Sequence, residues 1–258
     1  GVHTALALMT AEKLKIPIES VQVAHVDTDV TPYDQGTVAS RSTYSMGHAI
    51  DLAVADLCRV LGIKEDDLGS VDLGALVKNA RLGTVVGNGV YSTKGGLDPA
   101  TGQGVSSIHF HQGAGAAEVE VDCETGKVTV LRYHASAWAG RILNPPMAKL
   151  QTEGNVAFGL GQALFEEMVF EDGQLKNVNL GDYMIPSIED MPPIAASMLE
   201  SAEAKDVHGL GETALPAVMP AIGNAVSRAI GVRISQLPLT PERVLRAIRS
   251  REEVPAGV

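Results

Sequence analysis

The segment EVEVDCETGKVTVLRY, residues 118–133, decides the fold class. Apolar and polar residues alternate on both sides of Cys123-Glu124-Thr125-Gly126, which is the pattern of two half-buried strands. A short turn that ends in glycine between two such runs is typical of a β-hairpin. This part of the chain is therefore predicted to form antiparallel β-structure.

Helices are predicted on both sides of this hairpin. Their apolar residues recur mostly at helical spacing, in residues 4–14, 45–61, 73–80, 147–165 and 220–230. Thr240-Pro241-Glu242 begins a final helix, because a threonine cap followed by proline at the first helical position is a favourable start. Helices combined with hairpins indicate an α+β fold.

The remaining patterns are weaker and complete the predicted architecture. Strands are expected at residues 21–30, 83–91 and 107–121, and a second hairpin is expected to turn at Glu171-Asp172-Gly173. The chain that follows, up to residue 205, is expected to be irregular. We predict mixed sheets with packed helices in one domain over residues 1–258, or two lobes with a boundary near residues 64–82.

The composition excludes several classes of function. The 258-residue chain has a net charge of −11 and no basic stripe, which argues against a nucleic-acid partner. It has no apolar run of about 18 residues, so no membrane span is predicted. Cys58 and Cys123 do not form a Cys-x-x-Cys pair, and the histidines lack ligand spacing. The sequence therefore predicts no metal site made by side chains alone.

Two loops rich in small and polar residues are candidates for a binding site. In Gly36-Thr37-Val38-Ala39-Ser40-Arg41-Ser42-Thr43, backbone N–H groups can approach a ligand, while the hydroxyls and Arg41 can bind phosphate. Composition alone favours an ordinary helix-capping loop here. The second, Leu143-Asn144-Pro145-Pro146, is followed by Gln151, whose amide both donates and accepts hydrogen bonds. Composition alone favours a surface glutamine at this position.

A third candidate is the segment Gly209-Leu210-Gly211-Glu212. A carboxylate between glycines and an apolar run is expected to be partly buried, and desolvation would raise its pKa toward neutrality. Glu212 would then be a usable general base. An acidic residue at the start of a helix, where the macrodipole favours it, explains the same pattern equally well.

Taken in order, these motifs resemble those of the xanthine oxidase and aldehyde oxidase family of molybdenum hydroxylases. The resemblance covers residues 1–248 and is to the C-terminal half of the catalytic subunit, its second molybdenum-cofactor-binding domain. Gly1-Val2-His3-Thr4 is similar to the end of a Gly-Gln-Gly-x-x-Thr motif. The helix of Gln151-x-Glu153-Gly154 and the Gly-x-Gly-Glu signature at Glu212 follow in the same order.

The resemblance implies one base and a set of cofactor-binding residues. Glu212 is expected to act as the general base while oxygen from water is transferred to an aldehyde or N-heterocycle and molybdenum accepts the electrons. Gln151 is expected to orient the ligands of the metal, which is held through molybdopterin and not by side chains. The cofactor, as molybdopterin or its cytosine dinucleotide, is expected to contact Gly1, Thr4, Thr37, Val38, Ala39, Ser40, Arg41, Ser42, Gln151 and Gly211.

The resemblance also implies parts that this chain lacks. The other half of the cofactor domain is expected upstream of Gly1. Iron–sulfur clusters and FAD are expected on partner chains or domains, because the sequence has no cysteine sets or flavin-binding pattern for them. We therefore expect a cytoplasmic hetero-oligomer that acts on a small-molecule substrate, and no turnover by this chain alone.

Two alternatives to this function stay open. The first is a non-catalytic cofactor-binding or assembly module that keeps the same fold. The second is a member that works as a reductase or on carbon monoxide.

Overall fold

The computed structural model describes residues 1–81, 83–93, 95–107, 110–201, 203–204 and 206–252. The chain divides into two compact units. The first consists of Gly1–Phe110, Gly140–Pro145 and Glu200–Gly209, and the second of His111–Ala139, Pro146–Leu199 and Leu210–Val258. The boundary predicted near residues 64–82 lies inside the first unit instead, because Leu68 packs against Val54 and Cys58 in the core of that unit.

Helices dominate the first unit. Its elements are α1 (Val2–Leu14), α2 (Ser42–Leu61), α3 (Leu73–Asn79) and the two-residue antiparallel strands β1 (Gly96–Leu97) and β2 (Gly104–Val105). α2 ends at Gly62, whose φ of 69° is left-handed, and the N–H of Ile63 donates to the carbonyl of Cys58. Glycine is the usual residue at this position because it has no Cβ to clash.

The strands predicted at residues 21–30 and 83–91 are wrong. In the first segment Val26 and Val30 are 75% and 78% exposed. These apolar side chains do not pack on a core, so burial does not stabilise a strand here. The second segment runs over α2: a Cβ at Gly87 or Gly89 would lie 2.2 Å from the carbonyl oxygen of Ala53 or 2.0 Å from that of Ala49. The glycines of this segment therefore allow its backbone to lie close to α2.

The second unit contains a three-stranded sheet and the larger core. Its elements are β3 (Gln112–Val121), β4 (Val128–Trp138), α4 (Pro145–Leu164), β5 (Phe170–Glu171), β6 (Gln174–Leu175), α5 (Leu180–Tyr183), β7 (Ile194–Leu199), α6 (Leu215–Ile230) and α7 (Pro241–Glu252). The predicted hairpin is confirmed: β3 and β4 pair antiparallel, and the N–H of Asp122 donates to the carbonyl of Lys127 at 2.9 Å. The α+β class is likewise confirmed.

Three elements of the second unit differ from the prediction. β7 pairs in parallel with β4, at the opposite edge from β3, where the sequence predicted irregular chain. β3 begins at Gln112, while Ile108 and His109 of the predicted strand lie outside the described residues. α6 begins at Leu215 rather than at Pro220, because its first turn accepts Pro216 at no cost in backbone hydrogen bonds.

The core of the second unit combines buried residues of β4, α4, α6 and α7. α6 buries residues spaced by four: Val218, Ile222, Val226 and Ile230. Opposite Val218 lies Gly159 of α4, where a Cβ would come 2.3 Å from the Cβ of Val218. Only glycine allows the two helices to approach this closely. Because a real Cβ needs more than 3 Å, any larger residue must separate them.

A Gly159→Ala change therefore tests whether this contact sets the stability of the second unit. We expect overpacking to lower the free energy of unfolding by about 1–3 kcal/mol, measured by denaturant or thermal unfolding. Gly154→Ala is the matched control on the same helix, because a Cβ there meets nothing within 4 Å. Alanine at this open helical site should stabilise by up to about 1 kcal/mol. Equal effects of the two changes would contradict the assignment.

Candidate functional site

Glu212 lies on the short turn that immediately precedes α6. Its side chain is exposed, whereas the next two residues, Thr213 and Ala214, are only 3% and 2% exposed. The prediction that Glu212 is partly buried is therefore wrong for this chain. The reason is local: Thr213 and Ala214 occupy the buried positions of the turn, and Glu212 occupies an exposed one. Glu212 is therefore an exposed acid on a turn whose next two residues are buried.

Two side chains of α4 hold this turn through hydrogen bonds. Gln151 Nε2 donates to the carbonyl oxygen of Gly211 at 2.8 Å, and Asn155 Nδ2 donates to the same oxygen at 3.0 Å. Asn155 Oδ1 accepts from the N–H of Leu215, the first residue of α6, at 3.0 Å. The structure thus brings together Gln151 and Gly211, two of the residues that the sequence singled out.

Sequence reasoning missed Asn155. It is 2% exposed and lies one helical turn after Gln151, and Gly159 follows after another turn. Residues four apart share one helix face, so these three positions form a single row along the turn and the start of α6. A polar residue four positions after Gln151, next to the apolar and buried Val156, was the signal that could have revealed it.

The turn is also fixed from the side of the sheet. The ring Nδ1 of His111 lies 2.8 Å from the hydroxyl oxygen of Thr213. At Gly113, in the first part of β3, a Cβ would lie 2.6 Å from the carbonyl oxygen of Thr213. The backbone of β3 therefore packs directly on the turn. His111 was also missed by the sequence analysis, because its partner is remote in sequence.

The loop from Thr37 to Ser42 lies in the first unit and leads into α2. Ala39 and Ser40 have φ values of 49° and 59°, a left-handed conformation that is unusual for consecutive residues other than glycine. The hydroxyl of Ser42 donates to that of Thr37 at 2.8 Å, and the Arg41 guanidinium donates to the Gln35 side chain. Such strained backbone is enriched at ligand-binding sites.

The same loop packs closely against Gly209. A Cβ at Gly209 would lie 1.6 Å from the carbonyl oxygen of Ser40, so no other residue fits there without displacing the loop. The first glycine of the Gly-x-Gly-Glu segment is thereby explained by packing. Gly1 and Thr4 lie at the start of α1, where Gly1 is the N-cap, and both are exposed.

A cavity of about 340 Å³ also lies in the first unit, beside Tyr44 of α2. Two ion pairs line it, Arg141–Glu12 and Lys13–Asp51, each at 2.7 Å. Burial is the main cause that raises the pKa of Tyr44 to about 12. Because a phenol with this pKa stays protonated at neutral pH, Tyr44 forms an uncharged part of the wall.

Within the described ranges, no three His, Cys, Asp or Glu side chains come together as ligands for a metal ion. In the same part of the chain, no helix has the length and apolar character needed to span a membrane.

Known proteins resemble this chain in both sequence and structure. Residues 1–192 match the family model described as a molybdopterin cofactor-binding domain. The gamma subunit of the 6-hydroxypseudooxynicotine dehydrogenase complex of Paenarthrobacter nicotinovorans is 31% identical over 95% of this chain and 34% of its own length. The xanthine dehydrogenase molybdenum-binding subunit of Escherichia coli O157:H7 is 32% identical over 95% of this chain and 35% of its own.

A solved structure agrees with these relatives. The aldehyde oxidoreductase from Desulfovibrio desulfuricans ATCC 27774 superposes with a TM-score of 0.82 at 30% identity, covering 95% of this chain and 27% of that protein. The chain thus spans about a third of the length of the curated relatives that it matches. It belongs to the family of molybdopterin cofactor-binding domains that is found in molybdenum hydroxylases.

Proposed function

We propose that this chain contributes Glu212 as the general base of a molybdenum hydroxylase that oxidises an aldehyde or an N-heterocycle with oxygen from water. The observation that carries the proposal is the turn before α6. Its backbone is hydrogen-bonded to Gln151 and Asn155 of α4, yet the side chain of Glu212 is exposed. A general base must lie within hydrogen-bond reach of the proton that it accepts, and an exposed carboxylate on a hydrogen-bonded backbone is suited to that role.

The names of the relatives support this substrate class without selecting one member. They describe proteins that act on 6-hydroxypseudooxynicotine, on xanthine and on aldehydes. The first two compounds contain nitrogen heterocycles, and the third name refers to aldehydes. Both kinds of molecule have an electron-poor carbon. We therefore propose a substrate of one of these two types.

The residues present fit a molybdopterin cofactor. At the start of α2, the helix dipole and the first N–H groups favour a negative ligand such as a phosphate. The small residues Ala39 and Ser40 leave the loop backbone accessible, with Thr37, Arg41 and Ser42 as polar neighbours. We propose that this loop, with Val38, Gly1 and Thr4, holds the cofactor or its cytosine dinucleotide form. We also propose Gln151 and Gly211 as cofactor-binding residues.

The chemistry is divided between the cofactor and this chain. When bound, the molybdenum cofactor supplies the redox capacity, because protein side chains cannot take up the two electrons removed from the substrate. Glu212 accepts a proton at its carboxylate oxygen from the attacking oxygen nucleophile. A general base contributes about 10²- to 10⁴-fold in rate. The side-chain amide of the exposed Gln151 can donate and accept hydrogen bonds, so it would orient polar groups beside it.

We propose that the complete enzyme contains parts on other polypeptide segments. These are the other half of the cofactor domain and the iron–sulfur and flavin centres that carry electrons away. On this proposal the chain works in a hetero-oligomer and does not turn over alone. We place it in the cytoplasm, because Cys58 and Cys123 are free thiols, which reducing compartments maintain.

A Glu212→Gln change in the complete enzyme tests the assigned base. The amide keeps the size of the side chain but cannot accept the proton, so we expect kcat to fall at least about 100-fold while the molybdenum content stays unchanged. Glu124→Gln, an exposed acid in the β3–β4 turn, is the control and should leave kcat unchanged.

The outcome separates this function from its main alternative. The exposed position of Glu212 also suits a non-catalytic cofactor-binding or assembly module. Unchanged turnover in the Glu212→Gln enzyme would refute the catalytic role and favour such a module.

A Gly209→Ala change tests whether the Thr37–Ser42 loop holds the cofactor. The added methyl group must displace the carbonyl of Ser40, so we expect the molybdenum bound per protein to fall severalfold, measured by elemental analysis. The control is Gly83→Ala in the same unit, where a Cβ meets nothing within 4 Å. Full molybdenum content in the Gly209→Ala protein would show that the loop is not needed for loading.

A further inference from the structure

Asn155 forms hydrogen bonds with the backbone on both sides of Glu212. Its side chain donates to the carbonyl of Gly211, the residue before Glu212, and accepts from the N–H of Leu215, three residues after it. The same amide donates to the carbonyl of Gln151 in its own helix at 2.7 Å. One buried side chain therefore sets both ends of the turn and ties them to α4.

The chemistry of the amide explains why this residue is asparagine. A primary amide has two donor hydrogens and an acceptor oxygen, and all three bonds described here use them. Aspartate could accept from Leu215 but not donate to Gly211, and alanine could do neither. Because Asn155 is 2% exposed, water cannot readily replace the lost partners.

Gln151 and Asn155 share one acceptor but differ in exposure. Both donate to the carbonyl oxygen of Gly211, at 2.8 and 3.0 Å, and only Gln151 is exposed. A carbonyl oxygen has two lone pairs and can accept both bonds. Asn155 satisfies that carbonyl from the buried side, so the carbonyl keeps a partner even without the bond from Gln151.

We propose that Asn155 is a positioning residue that acts on the reaction through Glu212. This inference rests on the proposed function, since it gives Asn155 a role only if Glu212 is the base. Holding Gly211 and Leu215 fixes where the Cα of Glu212 lies and in which direction its carboxylate leaves the turn. Asn155 itself is buried beneath the turn and does not need to touch the substrate.

The first test is a double-mutant cycle in the complete enzyme. The variants are Asn155→Ala, Glu212→Gln and both together, with benzaldehyde and xanthine as probe substrates and an artificial electron acceptor. With Glu212 present, Asn155→Ala should lower kcat by about 10- to 100-fold and change KM much less, because misplacing a catalytic group by about 1 Å costs up to about 100-fold. In the Glu212→Gln background the same change should lower kcat less than about twofold.

Asn177→Ala is the matched control for this cycle. Asn177 also holds a turn of the second unit through its amide: its oxygen accepts from the N–H of Val169 at 2.9 Å, and its nitrogen donates to the carbonyl of Glu167. Its loss should cost stability but leave kcat unchanged in both backgrounds. Equal losses of kcat from Asn155→Ala with and without Glu212 would overturn the positioning role, because the effect would then be general.

Hydrogen exchange in the complete enzyme gives a readout independent of turnover. Asn155→Ala should speed exchange of the Leu215 amide, whereas Asn177→Ala should leave that exchange unchanged. Unchanged exchange in Asn155→Ala would overturn the inference. Full turnover by Glu212→Gln, or turnover of neither probe by the unmodified enzyme, would instead overturn the proposed function and, with it, a role through Glu212.

Discussion

The contact between Gly159 of α4 and the side chain of Val218 of α6 is the constraint on which the site of the second unit depends. Because Gly159 has no side chain, Val218 packs directly against α4, and this contact holds the start of α6 beside the row of α4 that carries Asn155 and Gln151. Asn155 and Gln151, one and two turns earlier, form hydrogen bonds with the turn of Glu212. Apolar packing thus creates the geometry, and polar bonds then refine it.

Local patterns predicted a large part of the fold. The β3–β4 hairpin was visible because alternation and a glycine turn lie within a few residues of each other, and α1, α2 and α4 because helical periodicity is a property of one segment. For the candidate site, the order of short motifs identified Gln151, Gly211 and Glu212. Of these, the structure shows the contact of Gln151 with Gly211, while the role of Glu212 stays a prediction.

The features that the sequence did not predict depend on partners far along the chain. β7 is a strand only because β4 offers it a parallel edge, and the segment of Gly87 and Gly89 is extended because it runs over α2. The exposure of Glu212 depends on which of its neighbours in the turn are buried in the core. The hydrogen-bonding role of Asn155 depends on Gly211, which lies 56 residues away in the sequence. Composition within a window carries no information on such contacts.

The exposed Glu212 on its buried turn has a consequence for how such a subunit can diversify. Thr213, Ala214 and Asn155 are the buried residues of this part of the site, whereas the side chain at position 212 is exposed. A change at position 212 therefore leaves the buried packing of Thr213 and Ala214 in place. The chemistry at the surface of the turn and the stability of the scaffold beneath it can be selected at different positions.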